Sequence, residues 1–282
     1  VGSKMANKAP SIPNIQKRRI IEYLRSGKRF DGRGLEEHRK IEVRLGISEK
    51  AEGSCSVKFG KTEVYCGVKL GIAEPYPDSQ DQGTFMTTAE FSPIASPYFE
   101  TGPPRINSIE LARIIDRGIR ESGFIDFKKL CIKEGEKVWQ VFLDLYTVND
   151  DGNLLDVAAL AALIALGNAK MPVYDEETER IDHSAPFTKN PIPLNKDALA
   201  FNMTLHKIDD QIIVDPTWDE EAISDFRISI AVASNKGEPR ITAMQKGKET
   251  PITDEDMEKI LNIVEDKFKK MFPEIEKHVW GK

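Results

Sequence analysis

The stretch GSCSVKFGKTEVYCGVKL, residues 53–70, decides the fold. Residues 54–59 and 62–70 are strand-like runs, rich in Val, Tyr, Phe and small residues, and they are broken at Gly60-Lys61. A two-residue turn there makes a hairpin and sets Cys55 opposite Cys66 as a hydrogen-bonded pair, with Cα atoms ~5.5 Å apart. Two buried, reduced thiols are the expectation rather than a disulfide, because intracellular thiols stay reduced.

Working outward, residues 14–26 have the pattern of a charged amphipathic helix closed by Gly27, and Lys28-Arg29-Phe30-Asp31-Gly32-Arg33 is a basic turn. Residues 73–107 carry six prolines and are expected to be mostly loop, with a strand at Thr84–Phe91. Asn107 is expected to cap a helix that ends at Gly123, with Glu110 completing a capping box. A buried strand follows at 138–148, and Gly152-Asn153 leads into an apolar helix at 154–169. Four prolines in 171–195 suggest a linker. Beyond it come strands at 198–207 and 211–214 about Asp209-Asp210, then strands at 227–234 and 240–245 about residues 235–238. Thr253 caps a last helix whose Met257, Ile260, Leu261, Val264, Phe268 and Met271 share one face. Each half runs from hairpin strands to a helix, which is an α+β pattern with the look of an internal repeat.

Composition narrows the function. The 282 residues include 40 Lys+Arg against 46 Asp+Glu, a net charge of −6, and 40% are hydrophobic. The net acidity argues against coating nucleic acid by bulk charge and leaves a local basic groove open. The longest apolar run, 157–166, is too short for a membrane helix. The N-terminus lacks the apolar core of a signal peptide, so a soluble, cytoplasmic protein without membrane partners is expected. Residues 1–4, ahead of Met5, look like an appended leader and are set aside. Cys55, Cys66 and Cys131 form no CxxC pair, and His38, His183, His206 and His278 are scattered, so neither a metal site nor a cofactor is expected.

Three segments could carry chemistry. In the helix at 108–122, Arg113, Arg117 and Arg120 fall within an arc of ~60°, opposite Leu111, Ile114, Ile115, Gly118 and Ile119, with Arg105 just upstream. Such a stripe can contact successive phosphates along a nucleic-acid strand. The plainer reading is a solvated face paired with Glu110, Asp116 and Glu121. Asp215, Asp219, Glu220, Glu221 and Asp225 crowd a second segment, where paired carboxylates could hold a cation or transfer protons. The plainer reading there is negative charge at a helix N-terminus. The third segment, residues 151–156, enters a helix at Gly152. Leu154 and Leu155 offer it no hydroxyl and Asp156 would repel an anion, so a phosphate cradle is rejected.

In order and spacing, these segments together resemble the RNase PH family of phosphorolytic exoribonucleases. The resemblance rests on Arg29-Phe30-Asp31-Gly32-Arg33, on the hairpin, on Ser108-Ile109-Glu110-Leu111-Ala112-Arg113, on Asp151-Gly152 before the alanine-rich helix, and on Asp215 to Asp225 before a strand. Within the family the likeness is to the non-catalytic RNase PH-like subunit of the archaeal exosome. It implies an N-terminal extension at 1–28, a ribosomal-S5-like half at 29–190 and the family's C-terminal half at 191–282. It also implies a hexameric ring, a trimer of heterodimers with a catalytic sister subunit, together with RNA-binding cap proteins and single-stranded RNA.

Active members hold phosphate with a Gly-Ser-Arg or Gly-Thr-Arg loop, and Leu155 and Asp156 stand where its hydroxyl and arginine would be. The resemblance therefore implies no catalytic residues: the phosphate loop is lost, and Asp219 and Asp225 remain as a degenerate acidic pair. It assigns RNA binding to Arg113 and Arg117, with Arg105 and Arg120 as weaker candidates. Two alternatives stay open, an active phosphate-dependent 3′–5′ exoribonuclease and an assembly subunit without RNA contacts.

Overall fold

The computed structural model describes residues 12–182, 184–235 and 237–281. Residues 1–4, His183 and Lys236 thus lie outside the described residues. The first sheet holds β1 (Ile41–Leu45), β2 (Gly53–Phe59), β3 (Thr62–Ala73), β4 (Thr84–Phe91), β5 (Cys131–Lys133) and β6 (Lys137–Asn149). Its main path runs β1-β2-β3-β6-β4, antiparallel except for the parallel β4–β6 pair, and β5 pairs with β6. The β2–β3 hairpin has the expected register, with Cys55 opposite Cys66. Both are free thiols, and burial pushes the Cys55 thiol up to about 12 and Cys66 well above its ordinary value.

The second sheet has the order β10-β9-β11-β12, from β9 (Ala200–Ile208), β10 (Gln211–Val214), β11 (Phe226–Asn235) and β12 (Glu238–Gly247). Between the sheets lies α3 (Leu154–Asn168), packed on β2, β3 and β9. Residues 155–166 of α3 are buried on every face, so this helix is the middle layer of the core rather than an amphipathic cover. Gly53 allows the close approach of β2, because a Cβ there would meet the Ala165 carbonyl at 2.3 Å.

Helix α2 (Ile106–Ser122) bridges the sheets, resting on β4 on one side and on β9, β11 and β12 on the other. Helix α5 (Asp254–Trp280) closes the core over α3, with its capping box made by Thr253 and Asp256. Helix α1 (Asn14–Arg25) buries Ile20 and Leu24 in a satellite cluster with Ile208, Ile213 and Ile223.

Two expectations need correction. Asn107 lies inside α2 and caps nothing. The helix begins directly after Pro103-Pro104, with Arg105 at the N-cap, and Glu110 is drawn away to Arg227 at 2.5 Å. The segment 171–195 is more than a linker, for it holds a hairpin of β7 (Val173–Asp175) and β8 (Arg180–Asp182). Among the described residues no helix is long and apolar enough to cross a membrane.

Candidate nucleic-acid interface

Helix α2 buries Leu111, Ala112, Ile115, Gly118 and Ile119 and turns its arginines outward. Arg113 and Arg117 are exposed and have neither a hydrogen bond nor an ion pair among the described residues. They stand on a ridge between two clefts. One, of about 420 Å3, runs toward Met244 on β12, and the other, of about 400 Å3, toward Met86 on β4.

The other two arginines of the group are committed. Arg120 bonds Asp116 at 3.1 Å and the Phe85 carbonyl at 3.0 Å, and its guanidinium lies over the Phe85 and Phe127 rings. Arg105 pairs with Glu100. Of the acidic residues expected to neutralise the stripe, Glu110 goes to Arg227 and Asp116 to Arg120. The two central guanidiniums are therefore left available for an anion.

The start of α3 is built against anions. Gly152 (φ 87°) and Asn153 (φ 59°) both take left-handed backbone, and a Cβ at Gly152 would meet the Thr217 backbone at 2.5 Å. The Asn153 amide, pointing out of the helix mouth, donates to Glu221 Oε1 at 2.8 Å. A carboxylate of the chain itself thus takes the place an external anion would occupy. Burial and the neighbouring Asp150 push Glu221 up to about 7.

Leu155 lines a cavity in front of this mouth. Asp156 does not face it. Its carboxyl accepts from the Thr204 amide at 3.0 Å and the Thr204 hydroxyl at 2.7 Å, inside the core. The charge that opposes an anion at the helix mouth therefore belongs to Glu221, which the sequence offered as one of five crowded acidic residues but not as a partner of this helix.

The acidic segment divides. Asp219, Glu220 and Glu221 fall in the first turn of α4 (Trp218–Ile223), and Glu220 forms a capping box with Thr217. This is the plainer of the two readings. Asp219 accepts from Gln16 at 2.8 Å, whereas Asp225 accepts from the Asp209 amide at 2.7 Å. The two carboxylates thus serve different partners. Among the described residues no group of three or more His, Cys, Asp or Glu could hold a metal ion.

Asp215 is fully buried beside these groups and has a structural task. It accepts from Arg39 Nη2 at 2.7 Å, Arg33 Nη1 at 2.9 Å and Asn153 Nδ2 at 2.8 Å. Burial alone would raise its pKa, but the Arg39 hydrogen bond and charge hold it down to about 2. Arg29, also buried, forks onto Glu220 and bonds the carbonyls of Val214 and Asp215. The basic turn at 28–33 is thus a brace between the N-terminal segment and the second sheet. The Arg-Phe-Asp-Gly-Arg string marked the position but not its partners.

Comparison with known proteins matches this architecture. Residues 37–172 match the 3′ exoribonuclease family, domain 1, and residues 203–265 match domain 2 of the same family. The exosome complex component Rrp42 of Methanothermobacter thermautotrophicus is 42% identical over 273 residues, covering 97% of this chain and 98% of that protein. Its counterpart from Archaeoglobus fulgidus is 44% identical over 235 residues, covering 83% of this chain and 86% of that one. Among solved structures, a chain of the Archaeoglobus fulgidus exosome with RNA bound to the active site superposes with a TM-score of 0.79 at 40% identity, covering 92% of this chain and 98% of that one. A chain of an archaeal exosome core gives 0.77 at 37% identity, covering 92% and 97%. With both family domains in order along it, the chain belongs to the 3′ exoribonuclease family of RNase PH-like proteins.

Proposed function

We propose that the chain is a non-catalytic subunit of an archaeal-type exosome, scaffolding a catalytic RNase PH-like sister and gripping single-stranded RNA near its active site. The carrying observation is the contrast between two helix features. α2 presents Arg113 and Arg117 unpaired among the described residues, whereas the α3 mouth, where the family's active members hold phosphate, is filled by Glu221 and bordered by Leu155. Phosphorolysis needs inorganic phosphate in line with the scissile bond, and a carboxylate on the Asn153 amide at that mouth opposes it electrostatically. The pairing of Arg120 and Arg105 leaves the grip to Arg113 and Arg117. In this reading three such chains alternate with three sister subunits in a ring under RNA-binding cap proteins.

The test uses the assembled complex. Replacing both Arg113 and Arg117 by Glu should weaken binding of an unstructured RNA at least about tenfold, since charge-assisted contacts are worth about 1.5–3 kcal/mol each. The salt slope should fall by about 0.7 per lost phosphate contact. Unchanged affinity in an intact ring would favour assembly without RNA contacts. The isolated chain, given oligoadenylate, magnesium and phosphate, should release no nucleoside diphosphate, and adding the sister should start release. Release by the isolated chain that Asp225→Ala abolishes would instead establish an active enzyme.

A further inference from the structure

In front of the α3 mouth lies a cavity of about 350 Å3 whose walls include Phe91, Phe99 and Trp218. Phe91 and Phe99 are stacked with centroids 4.6 Å apart, and Trp218 is backed by Tyr98 at 5.3 Å, so both walls are held flat. The volume suits a small heterocycle.

The cavity's cations are already engaged. Arg227 is paired with Glu110 at 2.5 Å. Lys248 donates to the Glu221 carbonyl at 3.0 Å and to the Ser224 hydroxyl at 2.7 Å. An anionic ligand would find no free positive charge among these groups.

Among the atoms left over are three acceptors. Ser224 Oγ gives its one proton to the Glu221 carbonyl at 3.0 Å and accepts from Lys248, so its 3.1 Å bond to His206 Nδ1 requires Nδ1–H as the donor. His206 is 2% exposed, and its Nε2 is then a bare lone pair, without a partner among the described residues and 3.8 Å from Glu221 Oε1. Burial holds this imidazole neutral, with its pKa well below the ordinary value. Glu221 spends Oε1 on the Asn153 amide, and Asp150 spends Oδ1 on the Gly152 amide at 3.1 Å. Their second oxygens have no partner among the described residues; burial raises both carboxyls, and N–H donors from a ligand would draw them to the ionised, accepting form. Flat apolar walls with convergent unfilled acceptors call for a planar ligand with N–H donors.

We infer that this cavity binds a nucleobase carrying an exocyclic amino group, stacked against the aromatic walls with its two amino hydrogens on Glu221 and Asp150. The inference rests on the reading of the chain as an RNA-handling subunit and names a second contact for it, separate from the arginine ridge. Carboxylates already accept from the cytosine amino group in other settings, whereas uracil presents a carbonyl at that position.

Titration calorimetry of the full chain with cytidine and with uridine is the test. Cytidine should bind at least tenfold tighter than uridine, and Glu221→Gln combined with Asp150→Asn should erase the ratio. Equal affinities, no heat from either nucleoside at millimolar concentration, or an unchanged ratio in a folded double variant would each overturn the inference. Should the double variant not fold, the cytidine-to-uridine ratio of the unmodified chain decides alone. The Arg113→Glu, Arg117→Glu variant separates the two proposals: it should lose RNA affinity while keeping its cytidine binding.

Discussion

Two buried carboxyls of this chain sit in opposite electrostatic situations, and each has a measurable consequence. Asp156 is 5% exposed, and burial pushes it up to about 7 despite the two Thr204 hydrogen bonds. An unfolded aspartate titrates near 3.8, so between that value and about 7 the folded state holds a proton that the unfolded state has lost. The contribution to stability is therefore complete below about pH 4 and is lost as pH rises to about 7. Asp156→Asn keeps an acceptor for the Thr204 amide and adds a donor for its hydroxyl, which can then donate to Ser229. The variant should be more stable than its parent at pH 8 by up to about 4 kcal/mol, with the gain gone near pH 4. Denaturant titration at both pH values checks it, and a gain independent of pH would show that Asp156 does not titrate in that window. Asp215 is the reverse case, because its depressed pKa contributes stability that is lost only as pH falls below 3.8 toward 2. Arg39→Ala would strip its main partner and cost about 3–5 kcal/mol at neutral pH, measurable by the same titration. Neither role was legible in the sequence. Spacing places Asp156 in the first turn of a helix but does not say which way the carboxyl turns. The arginines that hold Asp215 are 176 and 182 residues away along the chain.

At the scale of elements, α2 shows how far periodicity reaches. The arc of Arg113, Arg117 and Arg120, the buried face and the stop at Gly123 (φ 76°) follow from the 3.6-residue repeat. Which arginines are free does not follow, since Phe85 and Phe127 come from a strand and a short 3-10 helix that only the folded sheet brings beneath Arg120. Arg120→Ala removes two cation–π contacts, the bond to the Phe85 carbonyl and the ion pair with Asp116. It should destabilise the chain by about 1–2 kcal/mol and leave the salt dependence of RNA binding unchanged. Thermal melts read beside salt titrations check this, and a slope reduced by about 0.7 would place Arg120 on the RNA. The strands divide in the same manner. Thr84–Phe91 was legible from its composition amid six prolines, but its parallel pairing with β6 depends on tertiary placement. The β7–β8 hairpin was hidden because its strands are three residues each and lack a sustained alternation.

At the scale of the whole molecule, the two family domains share one hydrophobic core. The buried cluster runs without a break from Val57 and Val64 in the first sheet, through Leu160 and Leu163 of α3, to Leu205 and Ile228 in the second sheet and Phe268 of α5. α3 belongs by sequence to the first half, yet it packs on β9 and α5 as well as on β2 and β3. Without the second sheet, a helix buried on all sides would present one apolar face to water. At about 25 cal/mol per Å2 of apolar surface, exposing even a few of its leucines would cost a large fraction of the 5–15 kcal/mol that holds a domain together. The polar brace acts across the same boundary, since Arg29, Arg33 and Arg39 precede the first sheet while Glu220 and Asp215 follow β10. Neither half then has a stable state of its own to populate, and the chain should unfold in one step. Calorimetry of the full chain should give a single endotherm whose calorimetric and van't Hoff enthalpies agree within about 10%. Two resolved endotherms, or a calorimetric enthalpy well above the van't Hoff value, would mean that each sheet keeps a self-sufficient core and that α3 is a cover for the first sheet instead of the layer both depend on.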